Sequence, residues 1–335
     1  MSVDGDAVHP GTAINRRSTY TRAMPSSVLF TVASLIWGST FYAITLQLGE
    51  APPAVSVAYR FFLAAATLFL ICLVRRDSLH LPLRTHGWMA LQGVLTFCIS
   101  YLCTYQSEQY VVSGLVAVVF ALMVFWTPLL SSLFFGTGIS RRTIACGVVA
   151  IAGVALLFWH SIGAAWRDFQ AGGSPAFIAG VILALAATIA SSAGSIVVTK
   201  VKEQCENLPL TMAWSMLWGA SLVTVWSLAH GDSFVIPSSP TYWGGLVYLS
   251  IFGSVIAFFA YFTLIGRIGA QKTVYIGVIT PVLSVLLSIK LEGYRPGPVE
   301  FTGMVLCLAS VAWALRAPAS KPVQSANLNN PLETP

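Results

Sequence analysis

The chain has 335 residues, of which 56% are hydrophobic and only 9% are charged. Soluble domains usually carry about 25% charged residues, so this composition excludes an ordinary soluble protein and predicts a membrane protein. Taken by itself, the formal net charge of +6 would suit a nucleic-acid partner. The positions of the basic residues along the chain explain this charge in another way.

Apolar runs recur along the chain, and most are close to the roughly 20 residues that a helix needs to cross a bilayer. They are too long to be the strands of a membrane barrel, so we predict an all-α polytopic membrane protein with ten transmembrane helices. The predicted spans in chain order are 26–46, 55–74, 87–107, 113–135, 143–159, 177–198, 210–229, 243–263, 273–290 and 298–316. The segments 1–25 and 317–335 lack apolar periodicity, and we predict that they are disordered cytoplasmic tails.

A short repeat relates the two halves of the chain. Thr127-Pro128-Leu129-Leu130-Ser131 recurs as Thr280-Pro281-Val282-Leu283-Ser284, inside an apolar run in each case. Each half has five predicted spans, and an odd number of crossings inserts the second half with the opposite orientation. We therefore predict two inverted five-helix repeats, at 26–160 and 177–316. Inverted repeats are typical of alternating-access carriers.

The basic residues are concentrated on one side of the predicted membrane. With the amino terminus inside, 14 lysines and arginines lie on the cytoplasmic side, whereas only Arg167, Lys290 and Arg295 lie on the other. This bias predicts that the protein is a multi-pass protein of the inner membrane with both termini in the cytoplasm. It also explains the net charge, so we predict no nucleic-acid partner.

The sequence has no motif that points to catalysis or metal binding. The six cysteines form no C-x-x-C pair, and no histidine faces a carboxylate at ligand spacing. A phosphate-binding loop, H-E-x-x-H and G-x-S-x-G are all absent. We therefore predict no catalytic residue, no metal and no cofactor, and we expect that the protein is not an enzyme.

Several short motifs together resemble a known family. Trp37-Gly38-Ser39-Thr40-Phe41 is followed by Pro52-Pro53 and by Arg60-Phe61, and each half carries the Thr-Pro element. Across about residues 26–316 this pattern resembles the EamA-type transporters of the drug/metabolite transporter superfamily. The resemblance implies a ten-helix inner-membrane carrier, commonly an exporter of amino acids or related metabolites, with a central cavity that both halves share.

One departure from that family concerns acidic positions. Family members often place Gly-Glu after the fourth and ninth spans. The first half here has Gly136-Thr137-Gly138 instead, and the second half keeps a rearranged Glu292-Gly293.

Polar residues recur every three or four positions in the first, third, sixth and eighth predicted spans, which aligns them along one helical face. These faces can line a substrate cavity, or they can let helices pack closely through small residues. Aromatic residues within the spans suit the walls of a pocket for an amphipathic substrate, or they pack in the core. The predicted substrate-binding residues are Trp37, Tyr42, Arg60, Gln92, Thr96, Ser100, Tyr101, Trp126, Ser191, Ser195, Trp214, Ser254 and Tyr261.

Arg60 and two prolines have specific expected consequences. Arg60 is the charged residue that lies well inside a predicted span, where it either contacts a substrate carboxylate or has a structural role, which includes extension to the headgroups. Pro128 and Pro281 remove the helical partners of the carbonyls four residues earlier. We predict that both prolines are hinges, with static kinks as the alternative.

The sequence therefore predicts a carrier that exports a small organic metabolite, such as an amino acid or a related compound. Its partners are then the small-molecule substrate and membrane lipid, and the carrier is a monomer or a homodimer. A membrane scaffold or receptor subunit without transport is the alternative. Because no acidic residue lies near the centre of a predicted span, we expect facilitated diffusion or exchange, unless a loop carboxylate such as Glu108 or Glu292 folds inward.

Overall fold

The computed structural model describes residues 24–136, 138–170, 174–268, 273 and 276–315. The predicted tails lie almost entirely outside these residues, as does Thr137. All regular secondary structure in the described part is helical. In chain order the helices are α1 (Ser26–Thr45), α2 (Pro53–Val74), α3 (Leu83–Gln92), α4 (Tyr101–Ser107), α5 (Ser113–Phe120), α6 (Met123–Phe135), α7 (Arg141–Leu157), α8 (Trp159–Gln170), α9 (Ala176–Gln204), α10 (Leu208–Ala229), α11 (Pro240–Val247), α12 (Ala257–Ile268), α13 (Ile276–Leu291) and α14 (Pro298–Leu315).

Two of the predicted spans contain π-helical turns. Gly93–Ser100 joins α3 to α4, and Tyr248–Ile256 joins α11 to α12, so each pair forms one long helix with a π segment in the middle. π-Helical turns are often found at functional sites, because the extra residue in each turn redirects neighbouring side chains.

Among the described residues, seven helical stretches are long and apolar enough to cross a membrane. They are Ser26–Thr45, Pro53–Val74, Leu83–Ser107, Ser113–Phe135, Ala176–Gln204, Leu208–Ala229 and Pro240–Leu264. The other three predicted spans coincide with α7, α13 and α14. These helices are shorter or carry shorter apolar stretches, such as Ile279–Leu291 and Pro298–Ala314. The all-α membrane fold is therefore confirmed, and the number of ten spans stays a prediction.

The segment between the two predicted repeats contains a helix that the sequence analysis did not anticipate. α8 exposes Trp159, Ile162, Trp166 and Phe169, which follow one another at helical spacing along one face. Such a face is typical of a helix that lies in the membrane interface.

A contact between α8 and α14 corrects an expectation about the histidines. His160 Nδ1 lies 2.6 Å from Glu300 Oε1, so one histidine does face a carboxylate. A single pair of this kind does not make a metal site, and the described residues contain no group of three or more metal-ligating side chains.

The helices pack in reciprocal pairs. α2 packs along α10, and α7 packs along α14. α1 packs against α13 and α12, while α9 packs against α6 and α4. Small residues permit the closest approach, as expected for membrane helices: a Cβ added to Gly153 would lie 2.7 Å from Cys307 N and 2.8 Å from Gly303 O.

Candidate functional site

A cavity of about 160 Å³ lies among the helices. A single buried water needs roughly 10–15 Å³, so this cavity has room for a small organic molecule. Both halves of the chain contribute to its wall. The lining residues are Trp37, Thr40, Phe41, Ile44, Arg60, Thr96, Tyr101, Thr104, Ala117, Phe120, Ala121, Met123, Val124, Ser191, Ser195, Phe258, Tyr261, Ile276, Gly277, Thr280 and Pro281.

Arg60 supplies the positive charge of this cavity. Its side chain is 1% exposed, and its guanidinium carbon lies 4.6 Å from the centre of the Tyr101 ring. Arg60 Nε donates to Ser254 Oγ at 3.0 Å. None of the ion pairs among the described residues includes Arg60, so its charge meets no carboxylate at salt-bridge distance.

A hydrogen-bonded chain fixes the position of this guanidinium. Arg60 Nη1 donates to Tyr105 Oη at 3.4 Å, and Tyr105 Oη donates to Gln47 Oε1 at 2.9 Å. These contacts hold Arg60 toward the protein interior. Arg60 therefore does not extend to the headgroups in this structure, and its hydrogen bonds fit the structural alternative as well as a contact with substrate.

An aromatic wall stands on another side of the cavity. The Trp37 ring contacts Phe258 and Tyr261, with ring centres 5.1 and 5.0 Å apart. Trp37 Nε1 donates to the carbonyl of Gly253 at 3.2 Å, within the second π segment. Because Trp37 is fixed by both contacts, the wall is a preformed apolar surface for a ligand.

Three of the hydroxyls around the cavity donate to backbone carbonyls. Thr40 donates to Trp37 O at 2.9 Å, Thr104 to Ser100 O at 2.8 Å and Ser195 to Ser191 O at 2.9 Å. Each hydroxyl has one hydrogen to donate, so these three oxygens face the cavity as acceptors. They suit a ligand group with N–H or O–H donors.

Each of the two prolines frees the carbonyl of a residue that lines the cavity. Pro281 lines the cavity. Because proline has no N–H, the carbonyl of Gly277 loses its helical hydrogen bond, and Gly277 also lies in the wall. Pro128 lies outside the wall, but the corresponding residue, Val124, is in it. Thr280 Oγ1 is buried and has no hydrogen-bond partner among the described residues. This hydroxyl therefore does not donate to the carbonyl that the proline leaves free.

Seven of the predicted binding residues line the cavity: Trp37, Arg60, Thr96, Tyr101, Ser191, Ser195 and Tyr261. Two others contact these residues from behind. Ser254 accepts from Arg60, and Ser100 Oγ lies 2.8 Å from Ser191 Oγ while it also bonds Ala187 O.

The remaining four predicted residues lie away from the cavity. Gln92 accepts from Ser215 Oγ at 3.0 Å, between the third predicted span and α10. Trp214 donates to Leu79 O at 3.2 Å, in the loop after α2. Trp126 packs against a hydrophobic core, and Tyr42 is half-buried on a part of α1 outside the wall. Helical rotation and the packing of α10 on α3 direct these side chains elsewhere.

Sequence reasoning missed most of the apolar wall. The missed residues are Thr40, Phe41, Ile44, Thr104, Ala117, Phe120, Ala121, Met123, Val124, Phe258, Ile276, Gly277 and Thr280. Thr40 and Phe41 belong to the motif Trp37-Gly38-Ser39-Thr40-Phe41, and this motif could have identified them as residues of the site. The α5–α6 residues lie in an almost uninterrupted apolar run, where periodicity cannot separate a cavity face from a lipid face.

Beyond the cavity, α5 meets α13 in a tight contact that we call the α5–α13 seam: Ser113, Gly114, Ser288 and Glu292. Ser113 Oγ donates to Glu292 Oε2 at 2.7 Å and lies 3.1 Å from Ser288 Oγ. Gly114 N donates to Ser288 Oγ at 2.9 Å. These contacts join the beginning of the fourth predicted span to the end of the ninth.

Known proteins resemble the chain over most of its length. The inner membrane transporter YedA of Escherichia coli, itself uncharacterized, is 29% identical over 83% of this chain and 86% of its own. A probable amino-acid metabolite efflux pump of the same organism is 25% identical over 85% of this chain and 92% of its own. A crystal structure with 20% identity matches the fold with a TM-score of 0.61, covering 86% of this chain and 96% of that one.

The sequence model of the EamA-like transporter family matches the chain twice, over residues 24–159 and 178–316. Together these matches cover nearly all of the described helices and every residue of the cavity wall. The chain therefore belongs to the EamA-like transporter family.

Proposed function

We propose that the protein exports a small organic metabolite, an amino acid or a related compound, by alternating access between two inverted five-helix repeats. The observation that carries this proposal is the cavity shared by the two matched halves, with a buried arginine in its wall that forms no salt bridge among the described residues. A carrier needs a binding site between its halves, whereas an enzyme needs reacting groups. A scaffold needs no such cavity.

The reciprocal helix packing supports the inverted repeat. The first predicted span packs on the ninth and the sixth on the fourth, while the second pairs with the seventh and the fifth with the tenth. A two-fold relation between the halves generates this pattern. The two π segments also occupy corresponding spans, the third and the eighth.

The polar groups of the cavity suggest the substrate class. The Arg60 guanidinium can donate two parallel hydrogen bonds to a carboxylate. The oxygens of Thr40, Thr104 and Ser195 can accept from an ammonium group. The aromatic wall suits an apolar side chain, and a relative is named as a probable amino-acid metabolite efflux pump. We therefore propose that the substrate carries a carboxylate and an amine.

A ligand screen followed by a transport assay tests this function. Thermal unfolding of the purified full-length protein is measured with the proteinogenic amino acids and with simple carboxylates. A substrate at a hundredfold excess over its Kd stabilises the folded protein by about 2.7 kcal/mol, which should raise the Tm of a chain of this length by roughly 4 °C. The best ligand is then tested for exchange across proteoliposomes. Binding without exchange would contradict a carrier and favour the receptor alternative.

We also propose that the carrier lies in the inner membrane with both termini in the cytoplasm, since the basic residues are biased to that side. Single cysteines at Ser78, Gly49 and Gly231 test this orientation, because all three positions are exposed. An impermeant thiol reagent applied to intact cells should label Gly49→Cys and Gly231→Cys but not Ser78→Cys. The parent protein is the control for its own cysteines. Labelling of Ser78→Cys and Gly49→Cys from the same side would refute the inverted topology.

A further inference from the structure

Glu108 carries a buried carboxylate near one end of the molecule's third predicted span. It lies one residue beyond the span Leu83–Ser107, and its side chain is 7% exposed. Neither carboxylate oxygen has a hydrogen-bond partner among the described residues. An ionised carboxylate in such a place is strongly disfavoured, because burial removes its hydration and no donor replaces it.

The charged groups around Glu108 come from two other elements. Glu292, at the end of α13, interacts repulsively with it, and Arg60 of α2 interacts attractively. Tyr105, three residues earlier in the chain, also interacts electrostatically with Glu108. Burial raises the pKa of the Glu108 carboxyl well above its usual range, the Glu292 carboxylate raises that pKa further, and Arg60 lowers it.

Glu292 is held in place by the α5–α13 seam. Its carboxylate accepts from Ser113, and Ser113 and Gly114 both contact Ser288. Closure of the seam therefore fixes one acidic group within electrostatic reach of a second, buried one. This arrangement is favourable only when one of the two carboxyls is neutral.

We propose that Glu108 is a proton-binding site, and that the proton bound there favours the closed α5–α13 seam. When Glu108 loses its proton, its carboxylate repels the carboxylate of Glu292. Separation of α5 from α13 relieves this repulsion. The proton site itself does not depend on transport. Its role as a coupling ion rests on the proposed carrier function, and it corresponds to the alternative to uncoupled transport, in which a loop carboxylate folds inward.

The linkage between protonation and stability gives the test. The pKa of Glu108 is raised in the folded protein, so the stabilisation from its proton is complete at low pH and is lost as the pH rises through the folded pKa. Glu108→Gln keeps a neutral group at every pH. We expect this variant to unfold about 2–4 °C above the wild type near pH 8.5 and to match it near pH 5.

The experiment measures the Tm of full-length protein in detergent from about pH 5 to pH 9. The difference between wild type and variant removes the contribution of the histidines, which titrate in the same range. Glu50→Gln is the matched control, because Glu50 is exposed and should show no pH-dependent difference. Glu292→Gln removes the repelling charge and so lowers the folded pKa of Glu108, and the loss of stability should therefore be smaller than in the wild type and should end at a lower pH. This second variant keeps the test decisive even when Glu108→Gln does not fold.

Three outcomes would overturn the proposal. A Tm for Glu108→Gln below the wild type at every pH would show that the carboxylate is a structural acceptor. Stabilisation by sodium over choline near pH 8, lost in Glu108→Gln, would show that the acidic pair holds a metal cation rather than a proton. An unchanged pH profile in Glu292→Gln would show that the two carboxyls are not coupled. None of these measurements requires a transported substrate, so they are independent of the test of function.

Discussion

Arg60→Gln should weaken the binding of a carboxylate substrate by roughly 10- to 150-fold, because a hydrogen bond to a charged group contributes about 1.5–3 kcal/mol. The guanidinium is already buried and stacked on Tyr101, so the protein meets the cost of desolvating it before the ligand arrives. Glutamine retains a polar group but offers no charge and no paired donors. Transport of the ligand found by screening should fall in parallel. The measurements are the Kd from thermal shifts and the rate of exchange in proteoliposomes.

Two further variants separate charge from geometry. Arg60→Lys keeps the charge but loses the planar stack and the bond from Nε to Ser254, so we expect an intermediate effect. Arg75→Gln removes an exposed arginine whose contact is a surface pair with Asp77, and it should leave binding unchanged. Wild-type affinity in a folded Arg60→Gln protein would refute the carboxylate contact.

Gly114→Val should strongly reduce transport by preventing closure of the α5–α13 seam. A Cβ at this position would lie 2.7 Å from Ser288 Oγ, 2.9 Å from Val285 Cα and 3.1 Å from Ser284 O. Two of these contacts are backbone atoms, so no side-chain rotation relieves them, and α13 must move away. We expect transport to fall by more than about tenfold, as a shift of more than about 1.4 kcal/mol in the conformational equilibrium requires.

A thiol probe distinguishes an open seam from a misfolded protein. Ser288 is fully buried, so Ser288→Cys should resist an impermeant reagent in the parent protein and react once Gly114→Val is added. Gly244→Val is the matched control, since a Cβ at that helical glycine meets nothing within 4 Å. An unreactive Ser288→Cys in the double variant, with transport intact, would show that α5 and α13 do not separate during the cycle.

The helices could be predicted from the sequence because few backbone conformations are stable in lipid. A long apolar run must satisfy its own backbone, and helix formation does so within the run. Every predicted span accordingly coincides with helical structure. The helix α8 was missed because its amphipathic face interrupts the apolar signal that identifies a span. The corresponding positions of Pro128 and Pro281 were also predictable, because comparison of the two halves of the sequence is enough to find them.

The sequence predicted only partly which side of each helix faces the cavity. The polar stripe of the third span contains Thr96, which lines the cavity, but also Gln92, which bonds to α10 instead. Helical periodicity gives relative directions on one helix, whereas the direction of the partner helix depends on packing between segments far apart in sequence. Trp214 shows the same limit, because an aromatic residue in a span packs in the core or lines a pocket according to what lies opposite.

Hydrophobicity, charge bias and the internal repeat are properties of segments, and the sequence by itself determined the helical membrane fold, its approximate spans and the family. The interior position of the Arg60 guanidinium, the identity of the apolar wall and the burial of Glu108 were decided only by the tertiary structure. Each depends on contacts between helices from different halves, such as Arg60 with Ser254 and Ser113 with Glu292. A charged side chain near a span end has water, headgroups and protein within reach, and only the surrounding helices decide which of them it meets.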